Sequence, residues 1–209
     1  MANEITAALV KELREKTGAG MMDCKSALKE SAGDISQAVE LLRKKGLKNL
    51  GKRAGKVAAE GAVGVYIHAG NQIVSIVELN CETDFVARGE EFQQVANDIA
   101  MHVAAMKPTY LSKDTIPEDL LKKEEEIVLE TLNDAQKSKA DKIIPGKMNK
   151  FFEEVALLQQ VFVKDDKKKI SEIIEELGVK CGEKVTVRRF QRFEAVSYTH
   201  LTLPTICSV

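Results

Sequence analysis

The apolar positions of the chain change period along its length. Ile5, Leu9, Val10 and Leu13 recur at helical spacing, with Thr6 placed as an N-cap. Thr17-Gly18-Ala19-Gly20 should stop that helix, since glycine supplies the backbone freedom of a tight exit. Cys24, Ala27, Leu28 and Ser31 mark one face of a second helix, with Asp23 favourable in its first turn. Gly33-Asp34 ends it and caps a third, where Ile35, Ala38, Val39 and Leu42 keep the helical rhythm and Gly46 is expected to close. Three such helices predict a compact bundle whose small core supplies only a few kcal/mol.

From Gly61 the period becomes two. Val63, Val65 and Ile67 alternate with Gly64, Tyr66 and His68; Ala69-Gly70-Asn71-Gln72 is turn material; Ile73, Ser75, Val77, Leu79 and Cys81 share one face. The prediction is a β-hairpin over 62–81. Phe92, Val95, Ile99 and Val103 predict a helix from Glu90 to Met106, stopped before Pro108. Pro117 opens another, striped by Leu121, Val128, Leu132 and Ala135. After a bend at 134–138, Ile144, Met148, Phe151, Phe152 and Val155 form a second stripe, with Pro145-Gly146 interrupting its start. Together these predict an antiparallel helical hairpin at 117–158. Ile170, Ile173, Ile174 and Leu177 predict a short helix ended by Gly178, and 184–193 alternates as a strand expected to return to the hairpin of 62–81. The fold class is α+β: a three-helix domain at 1–46, a basic helical linker at 47–60, and an α+β core at 61–194 with a small antiparallel sheet.

Composition narrows the functions. The 209 residues carry 31 Lys and Arg against 32 Asp and Glu, which excludes a wholesale electrostatic nucleic-acid binder. No apolar run approaches a membrane span, and Met1 to Ile5 lacks the basic and apolar regions of a signal peptide, so a cytoplasmic location is expected. Cys24, Cys81, Cys181 and Cys207 form no CxxC pair, so reduced thiols and no zinc site are expected. With no Trp, a base-stacking platform has little to work with. His68, His102 and His200 supply no acid-base constellation, and there is no phosphate-binding GxxxxGK[ST] loop. The expectation is a binding protein with no cofactor and no metal, not an enzyme. His102 reads as a surface or packing residue.

Three stretches remain to be assigned. Arg43, Lys44, Lys45, Lys48, Lys52, Arg53 and Lys56 form a run with no acid among them. It reads as a solvated helix end and linker, as a contact for an acidic protein surface, or as an RNA contact. Met21-Met22 lies in a Gly-flanked loop, one Met suited to the bundle core and one to a flexible apolar contact. Asn80-Cys81-Glu82-Thr83-Asp84-Phe85-Val86-Ala87-Arg88 lies where a strand ends and a helix is about to start. There Thr83 or Asp84 is a cap, and Phe85 is either core beneath the sheet or a presented contact.

The texts Leu9-Val10-Lys11-Glu12-Leu13-Arg14, Thr17-Gly18-Ala19-Gly20-Met21-Met22-Asp23-Cys24-Lys25 and Asn80 to Ala87 closely resemble the elongation factor Ts family, over residues 1–194. The resemblance implies a guanine-nucleotide exchange factor that binds elongation factor Tu. It implies a ubiquitin-associated-like N-terminal domain docking on the partner's G domain, with Met21, Met22 and Lys25 at contact positions. Thr83, Asp84, Phe85, Val86, Ala87 and Arg88 match the nucleotide-release motif: the Phe wedges between G-domain helices and the Asp disturbs the magnesium region. Val163 matches a contact toward another domain of the partner, and the hairpin matches a projecting coiled coil.

Two departures accompany the resemblance. Longer members carry two similar core subdomains, whereas here Asp84 to Arg88 is followed almost directly by Ala100 to Pro108, which in longer members belongs to the second. The chain therefore resembles the short form, in which two chains pair, and a homodimer is expected. After Glu194 the family pattern ends. Residues 195–209 hold no charge unless His200 is protonated; they read as foreign translated sequence, whose removal is expected to leave exchange intact. Two competing readings are a ubiquitin- or peptide-binding adaptor, resting on the first domain alone, and an RNA-associated ribosomal accessory protein, resting on the basic run.

Overall fold

The computed structural model describes residues 5–17, 19–52, 55–132 and 140–195, which contain eight α-helices and two small antiparallel sheets. Helices α1 (Ala7–Thr17), α2 (Met21–Glu30) and α3 (Ile35–Lys52) share a core of Val10, Leu13, Cys24, Ala27, Leu28, Ala38 and Leu42. Local chemistry sets their ends. Thr6 Oγ1 accepts from Leu9 N at 3.4 Å, and Asp34 Oδ1 accepts from Gln37 N at 3.0 Å, so both are the caps their side chains suggest. Gly33, at φ +88°, donates its N–H back to Leu28 O and turns the chain between α2 and α3.

The rest of the chain supplies helices α4 (Asp84–Ala87), α5 (Glu90–Met106), α6 (Glu118–Glu130), α7 (Ala140–Val155) and α8 (Ile170–Cys181). Its strands are β1 (Glu60–Ile67), β2 (Ile73–Cys81), β3 (Val161–Phe162), β4 (Asp165–Lys169) and β5 (Thr186–Glu194). The predicted hairpin is present as β1 and β2, antiparallel, and β5 pairs along the free side of β2 to give the order β1-β2-β5. Helix α5 covers one face of this sheet. Val77, Leu79, Cys81, Phe92, Ala96, Ile99, Val103, Ile170 and Leu177 form the centre of the core between sheet and helices. Gly64 allows that contact, because a Cβ there would run into the Ala96 carbonyl of α5. Asn97 Oδ1 accepts from Val65 N at 3.0 Å and secures the same crossing. Helix α5 has the predicted bounds and stops at Lys107, in the left-handed region at φ +51°, just before Pro108.

Three expected helix breaks are corrected. Gly46 does not close α3, which continues to Lys52; it lies where α3 meets α8, and a Cβ there would sit 2.5 Å from Val179 Cγ1. Gly178 does not end α8; the end is Gly182, at φ +68°, whose N–H reaches Gly178 O. Pro145 does not interrupt α7, which runs through it. The ring lies in the second turn, so the lost donor concerns only the carbonyl of Asp141. Helices α6 and α7 pack together, and Lys147 Nζ donates to Thr131 Oγ1 at 3.1 Å across them. The expected bend at 134–138, Ala135 of the first stripe, and all but Ala195 of the 195–209 segment lie outside the described residues.

The described side chains of the basic run, Arg43, Lys44, Lys45 and Lys56, are each close to an acid. Lys44 meets Glu40, Lys45 meets Glu30, Arg43 lies 4.0 Å from Glu172 of α8, and Lys56 lies 3.8 Å from Glu82. Glu40 is one turn before Lys44 in α3, whereas Glu30, Glu172 and Glu82 come from other segments, which a reading of local sequence does not see. The Arg43–Glu172 contact and the Gly46–Val179 approach join the helical domain to the core, leaving a cleft of about 320 Å³ between Leu42 and Glu175.

Candidate partner-binding site

At the end of β2 the chain passes through Thr83, whose extended backbone (φ −126°, ψ 151°) changes direction into α4. Its hydroxyl accepts from Val86 N at 3.5 Å and its carbonyl from Ala87 N at 3.3 Å. Thr83 is therefore the cap, and Asp84 is the first helical residue. The cap does not open the long helix as expected. It opens a single turn, closed when Gly89 N reaches Val86 O, and α5 starts afresh at Glu90 behind Gly89.

A single turn separates adjacent side chains sharply. Ala87 is buried and Val86 packs on the core, so the turn is anchored from below. Phe85 points the other way and is 85% exposed, which overturns the reading of it as core beneath the sheet. A ring left in water forgoes about 1.5–3 kcal/mol of burial. Asp84 is also exposed and pairs with Arg88 Nη2 at 3.0 Å. The site thus presents an apolar ring and a carboxylate side by side on an anchored turn.

The carboxylate of Glu183, in the loop before β5, lies beneath this turn. Its Oε2 accepts from Glu82 N and Thr83 N, both at 3.0 Å, and its Oε1 accepts from Thr83 Oγ1 at 2.6 Å. Cys81 is buried beside it, and its Sγ donates to Thr83 O at 3.1 Å. Burial, then the Glu183 charge, pushes that thiol up to about 11, so it is protonated and unsuited to nucleophilic chemistry. Among the described residues no group of three or more His, Cys, Asp or Glu is placed to hold a metal.

The remaining predicted residues lie on two other elements. Met21 and Met22 are not in a loop: they form the first turn of α2, behind Gly20, and are 55% and 78% exposed. Neither belongs to the core, because Cys24, Ala27 and Leu28 fill the inward face. Lys25 is exposed one turn on from both Met residues, on the same side of the helix. Val163 is exposed where β3 turns into β4.

His102 was not among the predicted site residues, yet it fixes the backbone at Val163. It is fully buried, and its Nδ1 accepts from Val163 N at 3.2 Å. That places the ring proton on Nε2, which donates to Gln160 Oε1 at 3.0 Å, while Gln160 Nε2 donates to Glu154 O at 2.7 Å. The available sequence signal was its place one turn after Ile99, on the apolar stripe of α5. Glu183 was also missed, because its partners lie about a hundred residues away.

Comparison with known proteins bears on most of the chain. The family described as Elongation factor TS matches residues 2–181. Elongation factor Ts of Desulforamulus reducens is 51% identical over 193 residues, covering 91% of this chain and 89% of the relative. That of Myxococcus xanthus is 52% identical over 193 residues, covering 91% and 88%. That of Syntrophus aciditrophicus is 53% identical over 192 residues, covering 91% and 96%.

Proposed function

The chain belongs to the elongation factor Ts family and is a translation elongation factor; from that premise we propose that it binds elongation factor Tu in the cytoplasm and promotes release of GDP. The observation that carries the proposal is the 85% exposure of Phe85 on an anchored turn. An exchange factor makes and breaks no covalent bond. It binds the nucleotide-free partner more tightly than the GDP form, and by linkage it weakens GDP binding by the same factor. Phe85 is the apolar wedge that enters the partner, and Asp84 acts on the magnesium and phosphate side of the nucleotide site, where the metal is a large local charge. Asp84 leaves Arg88 to do so, at small cost, since both are exposed.

Helices α1–α3 act in this reading as a ubiquitin-associated-like docking domain, with Met21, Met22 and Lys25 as its contact face. Residues 47–60, which begin with the last turns of α3, serve as its linker and 61–194 as the core. Val163 contacts a second domain of the partner, and α6 with α7 forms the projecting hairpin. The chain works as a homodimer. The sheet face away from α5 supports this, because Val63, Val65, Ile67 and Ile76 are exposed on it. No cofactor, metal or nucleic acid enters the scheme.

The test is release of a fluorescent GDP analogue from elongation factor Tu in excess GDP. Acceleration at substoichiometric protein is expected, and Phe85→Ala should reduce it roughly 30-fold or more, the scale of an interface hot spot. A folded wild-type chain that neither accelerates release nor binds the nucleotide-free partner would end the proposal.

A further inference from the structure

We infer that Glu183 is a positioning residue for the exchange motif: its carboxylate locks the Thr83–Arg88 turn from beneath and so fixes the direction in which Phe85 and Asp84 are presented. The inference rests on the exchange function proposed above.

A one-turn helix does not hold itself. The first turn of any helix is the costly one, and α4 consists of four residues only. Its capping bond is long, at 3.5 Å between Thr83 Oγ1 and Val86 N. The Phe85 ring, almost wholly in solvent, gains little guidance from packing, so its direction follows the backbone of α4. Glu183 supplies what the turn lacks. It accepts three hydrogen bonds from two consecutive residues, and bonds to a carboxylate are about twice as strong as neutral ones. The Thr83 hydroxyl donates to Glu183 and accepts from Val86, so the clamp extends into the helix itself.

Glu183 is itself held. Its N–H reaches Gly178 O at 3.2 Å, behind the left-handed Gly182. The contact is reciprocal, because Glu82 Oε1 accepts from Lys184 N at 2.8 Å. Two segments about a hundred residues apart thus exchange carboxylate-to-backbone bonds, and Lys184 Nζ adds a bond to Lys56 O where the first domain's linker arrives. Such a clamp reduces the ordering left for the moment of binding, which is where a wedge loses affinity if its turn is loose.

The test uses the full chain and two readouts. In the wild type, the Glu82 and Thr83 amides should be protected from hydrogen exchange. In E183A their exchange should quicken roughly 10- to 100-fold, while core amides such as Leu79 and Ile99 do not change. GDP release promoted by E183A should fall roughly tenfold, with partial recovery in E183Q, whose single amide oxygen can take the place of the oxygen that accepts from the two backbone N–H groups. In a D84A/F85A background E183A should cost almost nothing more, because both groups it directs are gone. Multiplicative losses on adding E183A to that background would overturn the role, as would unprotected wild-type amides beside intact exchange activity. If E183A does not fold, E183Q carries both readouts and its amides decide. A wild-type chain without exchange activity removes the exchange reading and this role together; protected amides would then leave Glu183 a purely structural clamp.

Discussion

Phe85 and Val86 are neighbours with opposite fates: one faces solvent and the other packs on the core. The Phe85→Ala variant should therefore separate activity from stability. Substitutions at exposed sites change stability by about 0.5 kcal/mol or less, so its melting temperature should stay within about 2 °C of wild type. A larger drop, matched by a proportional loss of exchange, would return Phe85 to the core. His102 gives a second prediction at this scale. Burial pushes its pKa below the ordinary 6.5, against a smaller upward pull from Gln160. The folded protein thus holds a neutral ring, while the unfolded chain takes up a proton below about pH 6.5. The resulting stability is present above that pH and is lost as pH falls from 6.5 toward the lowered folded value. Thermal melts of wild type between pH 7 and 5 should show this slope, and His102→Gln, which cannot titrate, should flatten it. Equal slopes would show that the ring is protonated in place. Glu78 and Glu194, held low by Arg189 and Arg192 respectively, belong to a different window, since their contribution is lost only below the ordinary carboxylate value.

Glycines connect elements here in two ways that look alike in sequence. Gly182 ends α8 because its φ of +68° strains other residues. Gly46 and Gly64 lie inside elements because a neighbour comes too close for a Cβ. Both roles require only that a side chain be absent, so reading Gly46 and Gly178 as stops was open to error. Gly64→Ala tests the second role. The obstacle is α5 backbone, which cannot rotate aside, so a loss of about 3 kcal/mol is expected, or about 6–12 °C in melting temperature. An unchanged melt would mean that β1 lifts from α5 at no cost. The division at Gly89 is a similar case. The predicted cap at Thr83 precedes a helix predicted from Glu90, and the chain makes a one-turn helix and then the long one, which separates the presented pair from the packing helix.

Across the whole molecule, the uncovered sheet face has a regular layout. The register aligns Val63 with Glu78 and Arg189, Val65 with Ile76 and Gln191, and Ile67 with Val74 and Phe193. The face is charged at one end and apolar at the other, which suits a second copy laid across it by two-fold symmetry. Val65→Lys, in the central row, should change the mass seen in sedimentation from twice the 23.1 kDa chain to one chain, with α5 and its core unaffected. A wild-type chain that sediments as a monomer at micromolar concentration would sink the pairing.

Elements whose signals are local were legible from the order of residues alone. The β1–β2 hairpin, the limits of α5, and the caps at Thr6 and Asp34 all depend on residues a few positions apart, where period and capping chemistry decide. The sequence also carried the motifs that assign the family. The tertiary structure decided which way Phe85 faces, whether Met21 and Met22 are core, and what Gly46 is for. Each of these depends on how elements pack together: the core beneath Val86, the seating of α2 against α1 and α3 through Cys24, Ala27 and Leu28, and Val179 of α8. The grip of Glu183 on Thr83 is of the same kind, since no local pattern records a contact that exists only once β5 has returned to the sheet.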